Sequence, residues 1–333
     1  MKKIIFVIAL VLILICSGCN KTPEASITEF DYLGVYPDWL EEAPGHNLEL
    51  LDTYATDALK AVYLFRQACY NLDDIECYAY FLEGGGESVF QGANLTMRAQ
   101  TVHIKNGGNS FHQMINFITE IDAGKLSAIE EPLKSFLLKA YQRIYYDGSR
   151  YYREGSNNAF DENDILIAAW DEFEVQQMGT PKTRDDYDTE EDYLNARYAT
   201  ETHLPFGKYT DTTLNSNNLV TDETTIETKY DDDGNIYYAV TMTIDISVAN
   251  ADTSTMAALK KDTGTKEVSY SEFAIEFEVW HNGLFKSLNP IEGWEGTMKV
   301  LFEISGGSIA ANPRTFSYHP DDCDLDKYIE LLP

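Results

Sequence analysis

Three hydrophobic patterns divide the chain. From Ile4 to Ile15 twelve residues are apolar without a break. From Leu51 the spacing becomes that of a helix face. Leu51, Tyr54, Ala55, Ala58, Leu59, Val62, Phe65 and Cys69 recur at short helical intervals and predict an amphipathic helix over roughly Leu48 to Tyr70, with its apolar face in the core. Further on the period falls to two. Phe273, Ile275, Phe277 and Val279 alternate with Ala274, Glu276 and Glu278, which predicts a strand with one polar face.

Four turn signals punctuate β-prone runs. Asn106-Gly107-Gly108-Asn109 lies between Val102–Lys105 and Ser110–Gln113, and Asp147-Gly148 between Ile144–Tyr146 and Arg150–Tyr152. Asp233-Gly234 separates Thr225–Tyr230 from Ile236–Ile246, and Asn282-Gly283 separates Phe273–Trp280 from Leu284–Ser287. Asn-Gly and Asp-Gly mark hairpins because both central residues must reach positive φ. Thr297 to Ile304 reads as one further strand, and Asn312 to Phe316 as the last. Helices are expected from Pro132, with Leu133, Phe136, Leu137 and Ala140 on one face, over Asp164 to Met178, and from a capping box at Thr189. The fold class is therefore α+β: an antiparallel sheet built from hairpins, packed with an N-terminal amphipathic helix and a few more helices. A polar, partly helical insertion is expected near 155–224.

The opening run changes the picture from a fold to a location. Lys2 and Lys3 form a positive start, the apolar run follows, and Ser17-Gly18 precede Cys19. Twelve residues reach about 18 Å as a helix, short of the roughly 30 Å of bilayer hydrocarbon. Ser17-Gly18-Cys19 resembles the lipobox of bacterial lipoproteins, with Cys16 where an aliphatic residue is usual. The resemblance implies cleavage before Cys19 and a diacylglycerol (with palmitate-type acyl chains) on that cysteine. Two or three acyl chains suffice for stable anchoring. Residues 1–18 are thus expected as signal peptide and 19–46 as the acylated cysteine with a tether. Residues 47–333 are expected as a single extracytoplasmic domain.

Charge narrows the partners. The formal net charge is -30, and losing Lys2 and Lys3 takes it to -32. Such a chain lacks the cationic surface that nucleic acid needs, and anionic headgroups repel it, so the membrane partner is expected to be reached through the lipid anchor. Cys69, Cys77 and Cys323 remain after cleavage, an odd number, with Cys69 and Cys77 near enough in sequence to bridge.

Candidate chemistry is sparse. A two-residue Gly107-Gly108 loop would set His103 and His112 face to face, a weak pair of transition-metal ligands with no third indicated. The stronger reading is the polar outer face of a strand pair. Asp231-Asp232-Asp233-Gly234-Asn235 has the look of a calcium loop, but Met242 stands where its glutamate is needed, so a solvated turn is expected. Asp171, Glu172 and Glu174 beside Trp170 offer carboxylates for glycosidase chemistry or, more simply, a solvated helix face. No nucleophile-elbow, zincin, phosphate-loop or dinucleotide motif occurs. No cofactor and no catalytic residue are expected.

The order of elements, a long helix, then the hairpins of 101–117 and 141–152, then strands to Phe316, loosely resembles the lipid and lipoprotein carriers typified by LolA and LppX. That resemblance implies a curved antiparallel sheet around an apolar cavity, with the 22 tyrosines as lining or simply as strand formers. The expected function is non-catalytic binding of an amphiphilic, hydrophobic or glycan ligand at the membrane. The alternatives are a scaffold lipoprotein facing cell-wall or protein partners, and a glycan-acting hydrolase.

Overall fold

The computed structural model describes residues 30–40, 48–90, 93–121, 139–148, 151–156, 216–253, 256, 268–299, 303–311 and 314–331. The amphipathic helix is present as α1, Asp57–Asp74. It starts later than its apolar spacing suggests because Thr56 is extended and caps it, its hydroxyl accepting from Leu59 N at 3.3 Å. Leu51 belongs instead to a separate 3-10 turn, Leu51–Thr53. Ala58, Ala61, Val62, Leu64, Phe65, Ala68, Cys69 and Leu72 are buried along α1.

The chain then runs through β1 (Cys77–Phe90), β2 (Ala93–Asn106), β3 (Asn109–Ile121), β4 (Lys139–Tyr146) and β5 (Tyr151–Ser156). After 216 come β6 (Thr225–Tyr230), β7 (Ile236–Thr243), the short helix α2 (Ile246–Ala251), β8 (Val268–Trp280), β9 (Phe285–Lys299), β10 (Glu303–Ala311) and β11 (Arg314–Ser317). The eleven strands among the described residues join one antiparallel sheet in the order β5-β4-β3-β2-β1-β10-β9-β8-β7-β6, open there at β5 and β6. It consists of two meanders, β1–β5 and β6–β10, joined where β1 pairs with β10. Strand β11 continues the lane of β10, pairing with β1 on one side and β9 on the other. Among the described residues the protein is thus largely β, with two α-helices. None of its helices there is long and apolar enough to cross a membrane.

The four turn signals all mark reversals between strands. Gly107 and Gly283, at φ 56° and 85°, take the left-handed conformation that the tight turns require. β6 spans the expected Thr225–Tyr230, and Phe273, Ile275, Phe277 and Val279 are buried along β8. Two expectations need correction. Thr297 to Ile304 is not one strand: Lys299 pairs with Glu303, so the chain reverses between them, which the continuous apolar run Val300-Leu301-Phe302 hides in the sequence. Ala140, assigned to a helix opened by Pro132, lies in β4, where its pairing with Asn116 outweighs local helix propensity. The remainder of that helix, the helix over 164–178, the one at Thr189 and residues 157–215 of the insertion lie outside the described residues.

α1 covers one face of the second meander. Phe65 meets Phe277 and Phe285 edge-on, at 5.3 and 5.7 Å between ring centroids. Its C-terminal end is held from two sides. Asn71, fully buried, donates to Gly283 O at 2.9 Å at the β8–β9 turn, and Lys105 Nζ on β2 donates to Leu72 O at 3.3 Å, a cation at the negative end of the helix. The opposite face of β8 and β9 is polar, with Glu278 accepting from Lys286 at 2.8 Å and Ser287 at 3.1 Å. On the first meander that opposite face is covered. Ala79, Val102, Ile104, Phe111 and Ile115 pack with Cys323, Leu325 and Tyr328 of the C-terminal segment.

Part of the expected tether is packed too. Gly34 N donates to Phe316 O at 2.7 Å, Trp39 Nε1 donates to Tyr318 O at 3.3 Å, and the Asp322 carboxylate accepts from the backbone of Asp31 and Tyr32 at 3.1 and 3.0 Å. Residues 30–40 therefore form a strap on the domain, which begins at least as early as Phe30.

Candidate functional site

The two-residue loop puts His103 of β2 opposite His112 of β3 in register, with ring centroids 5.8 Å apart. Their surroundings differ from the solvated face expected from sequence. His103 is only 1% exposed. It stacks on Tyr80 at 5.2 Å and 24°, and meets Tyr78 at 5.5 Å. The reason is the pleat: Tyr78 and Tyr80 alternate with Ala79 on β1, and the tyrosines point to the helix-side face where His103 also points. Among the described residues no group of three or more His, Cys, Asp or Glu side chains is arranged to hold a metal ion.

The same face continues through β11. Arg314 lies beside the Tyr80 hydroxyl. Burial pushes that hydroxyl above its ordinary range, and the guanidinium beside it pulls part of the way back. Tyr80 is therefore a neutral hydroxyl at neutral pH. Arg314 Nη1 is buried and has no hydrogen-bond partner among the described residues. A buried guanidinium N–H left open beside a hydroxyl and three aromatic rings can take an anionic or strongly accepting group, with the rings as walls. Glu292 of β9, buried further along the same face, adds an acidic limit to this patch.

The other expected sites resolve differently. Asp231 Oδ1 accepts from Asp233 N and Asn235 N at 3.0 and 2.7 Å, and Oδ2 from Asn235 Nδ2 at 2.8 Å. Desolvation is the largest single effect and raises its carboxyl, but these bonds together outweigh it and hold the group below the usual range, so the carboxylate serves its own turn. Tyr230 is exposed, Tyr237 lies under Lys286 Nζ at 3.8 Å, and Tyr146 closes its turn by donating to Gly148 O at 2.8 Å. These are structural uses. Cys19, Trp170, Asp171, Glu172 and Glu174 lie outside the described residues.

Sequence reasoning missed Arg314 and a second buried polar group. Gln100, Gln113 and Arg143 are all buried on the far face of the first meander, with Gln113 directly opposite Arg143. Each falls in phase with apolar neighbours, as in Phe111-x-Gln113-x-Ile115, and that inward phase was the available signal. Cys69 and Cys77, near each other in sequence, take different places. Cys69 is buried on α1, whereas Cys77 lies beside Cys323. In comparisons with known proteins, no family model matches the chain and no curated protein matches it.

Proposed function

We propose that this is an extracytoplasmic lipoprotein, anchored through acylated Cys19, that binds an acidic amphiphile without catalysis on the helix-side face of its first meander. The observation that carries the reading is the open Nη1 of Arg314 beside the Tyr80 hydroxyl on an aromatic face. The guanidinium takes the head group, and Tyr78, Tyr80 and His103 take the apolar part. The reading takes the sheet to curve around that ligand, as in the carriers that the order of elements resembles. The anchor is supported by the apolar run and Ser17-Gly18-Cys19.

Native mass spectrometry of protein purified from membranes tests the binding. A co-purified lipid, or uptake of added long-chain fatty acid, is expected, and Arg314→Gln should weaken it about tenfold or more, the loss of a charged hydrogen bond. No bound lipid and no uptake would refute the binding. Fractionation tests the anchor separately: Cys19→Ala should move the protein out of the washed membrane fraction, and full retention there would refute acylation as the anchor.

A further inference from the structure

Cys77 opens β1, and Asn106, opposite it in register, closes β2. Asn106 Nδ2 donates to Cys323 O at 3.0 Å, which brings the C-terminal turn to the same place. Cys77 Sγ donates to Tyr318 O at 3.8 Å, and Cys77 packs against the cluster that holds Cys323, which sets the two thiols side by side. Cys323 is fully buried and Cys77 half-buried, so one thiol of the pair is reachable and the other lies behind it. No disulfide joins the three described cysteines.

We propose that Cys77 and Cys323 are an oxidisable pair whose disulfide pins the C-terminal turn, and with it the strap, to the start of the sheet. The inference stands apart from the reading of ligand and anchor. The oxidant is of the disulfide class. The Cys77 thiolate attacks one sulfur of that disulfide, whose S–S bond breaks with its electron pair leaving on the other sulfur. Cys323, deprotonated, then attacks Cys77 Sγ, and the second oxidant sulfur leaves. Two protein thiols are oxidised, one disulfide is reduced to two thiols, and the two protons end on those thiols. Cys77 is suited to the first step. The adjoining Cys323 thiol lowers its pKa against the opposing effect of burial, while Cys323 is pushed up by Cys77 and by burial.

The link has a mechanical reach beyond two residues. Asp322, next to Cys323, holds the Asp31 and Tyr32 backbone, and Tyr318 O accepts from Trp39. Fixing Cys323 therefore fixes the acceptors that hold residues 31–39.

The test uses the full chain, reduced and then incubated with oxidised glutathione, followed by alkylation under denaturing conditions and peptide mapping. A Cys77–Cys323 linked peptide is expected, with Cys69 alkylated. Melting should rise by about 5 °C or more over the reduced protein, as for a cross-link closing a long loop. Amide exchange at residues 31–34 should slow several-fold. Cys77→Ser and Cys323→Ser should each abolish the link and the shift, and Cys69→Ser should not. Alkylation of both Cys77 and Cys323, a bridge through Cys69, or glutathione persisting on Cys77 would overturn the proposal. Reduced and oxidised wild-type protein decide the matter even if a variant fails to fold.

Discussion

The two meanders share one sheet and are built differently inside. Beneath α1, the second is largely dry: Val240, Met242, Ile275, Phe277, Val279, Phe285 and Leu288 supply its inner face, with Glu292 a buried charge further along it. The first buries polar groups on both of its faces, with His103 and Thr101 on one and Gln100, Gln113 and Arg143 on the other. Burying such groups costs free energy unless they are satisfied, so a purely structural sheet gains nothing from collecting them. The second meander acts as the foundation, and the proposed reading places the ligand on the first. Both hold α1 by its C-terminal end, through Gly283 and through Lys105.

Substitutions can break this contrast. The largest effect is expected at Phe277→Ala, a cavity in the dry meander that should lower unfolding free energy by about 3–5 kcal/mol in urea titrations. Asn71→Ala removes the bond between helix and β8–β9 turn, and should cost about 1–3 kcal/mol by the same measurement. At the helix start Thr56→Ala removes the cap, at about 1 kcal/mol. The smallest change is expected from Gln113→Met in the polar meander. Its buried Oε1 has no hydrogen-bond partner among the described residues, so exchange for a thioether of similar volume should be neutral or slightly stabilising. A cost at Gln113 equal to that at Phe277 would erase the distinction between the meanders.

The seam between the meanders is tested by alkali. Burial raises the hydroxyls of Tyr318 and Tyr80 above the ordinary value of 10.0. Folded pKa values above unfolded ones contribute stability that is whole below the unfolded value and is lost as pH rises through the folded one. Melting temperature should therefore fall from pH 10.0 upward. Tyr318→Phe should flatten that fall while losing the hydrogen bond to Phe285 O, 2.7 Å long in the native protein. An unchanged slope would exclude Tyr318 as a source.

What the sequence made legible was local. Glycines at positive φ announced the hairpins, and the Gly107-Gly108 loop fixed the His103–His112 register. The strand alternation around Phe277 was visible because one face is apolar and the other carries Glu276 and Glu278. The burial of His103 was not visible, since it depends on Tyr78 and Tyr80 from another strand. Arg314 and Cys323 were out of reach for the same reason. Their partners, Tyr80 and Cys77, lie more than two hundred residues earlier, and nothing in the local pattern names them.

The β10–β11 lane gives the chain a particular order of completion. β1 forms its hairpin with β2 early, yet its other edge waits for residues 303–317, near the end of 333. Until those residues emerge, β1 and β9 both present unpaired edges, the surfaces on which strands from other molecules add. Such distant pairing also closes slowly. A ribosome or a translocation pore releasing this protein from its N-terminus thus delivers the middle of the sheet last, and a chain stopped short of Glu303 would leave that gap permanently open.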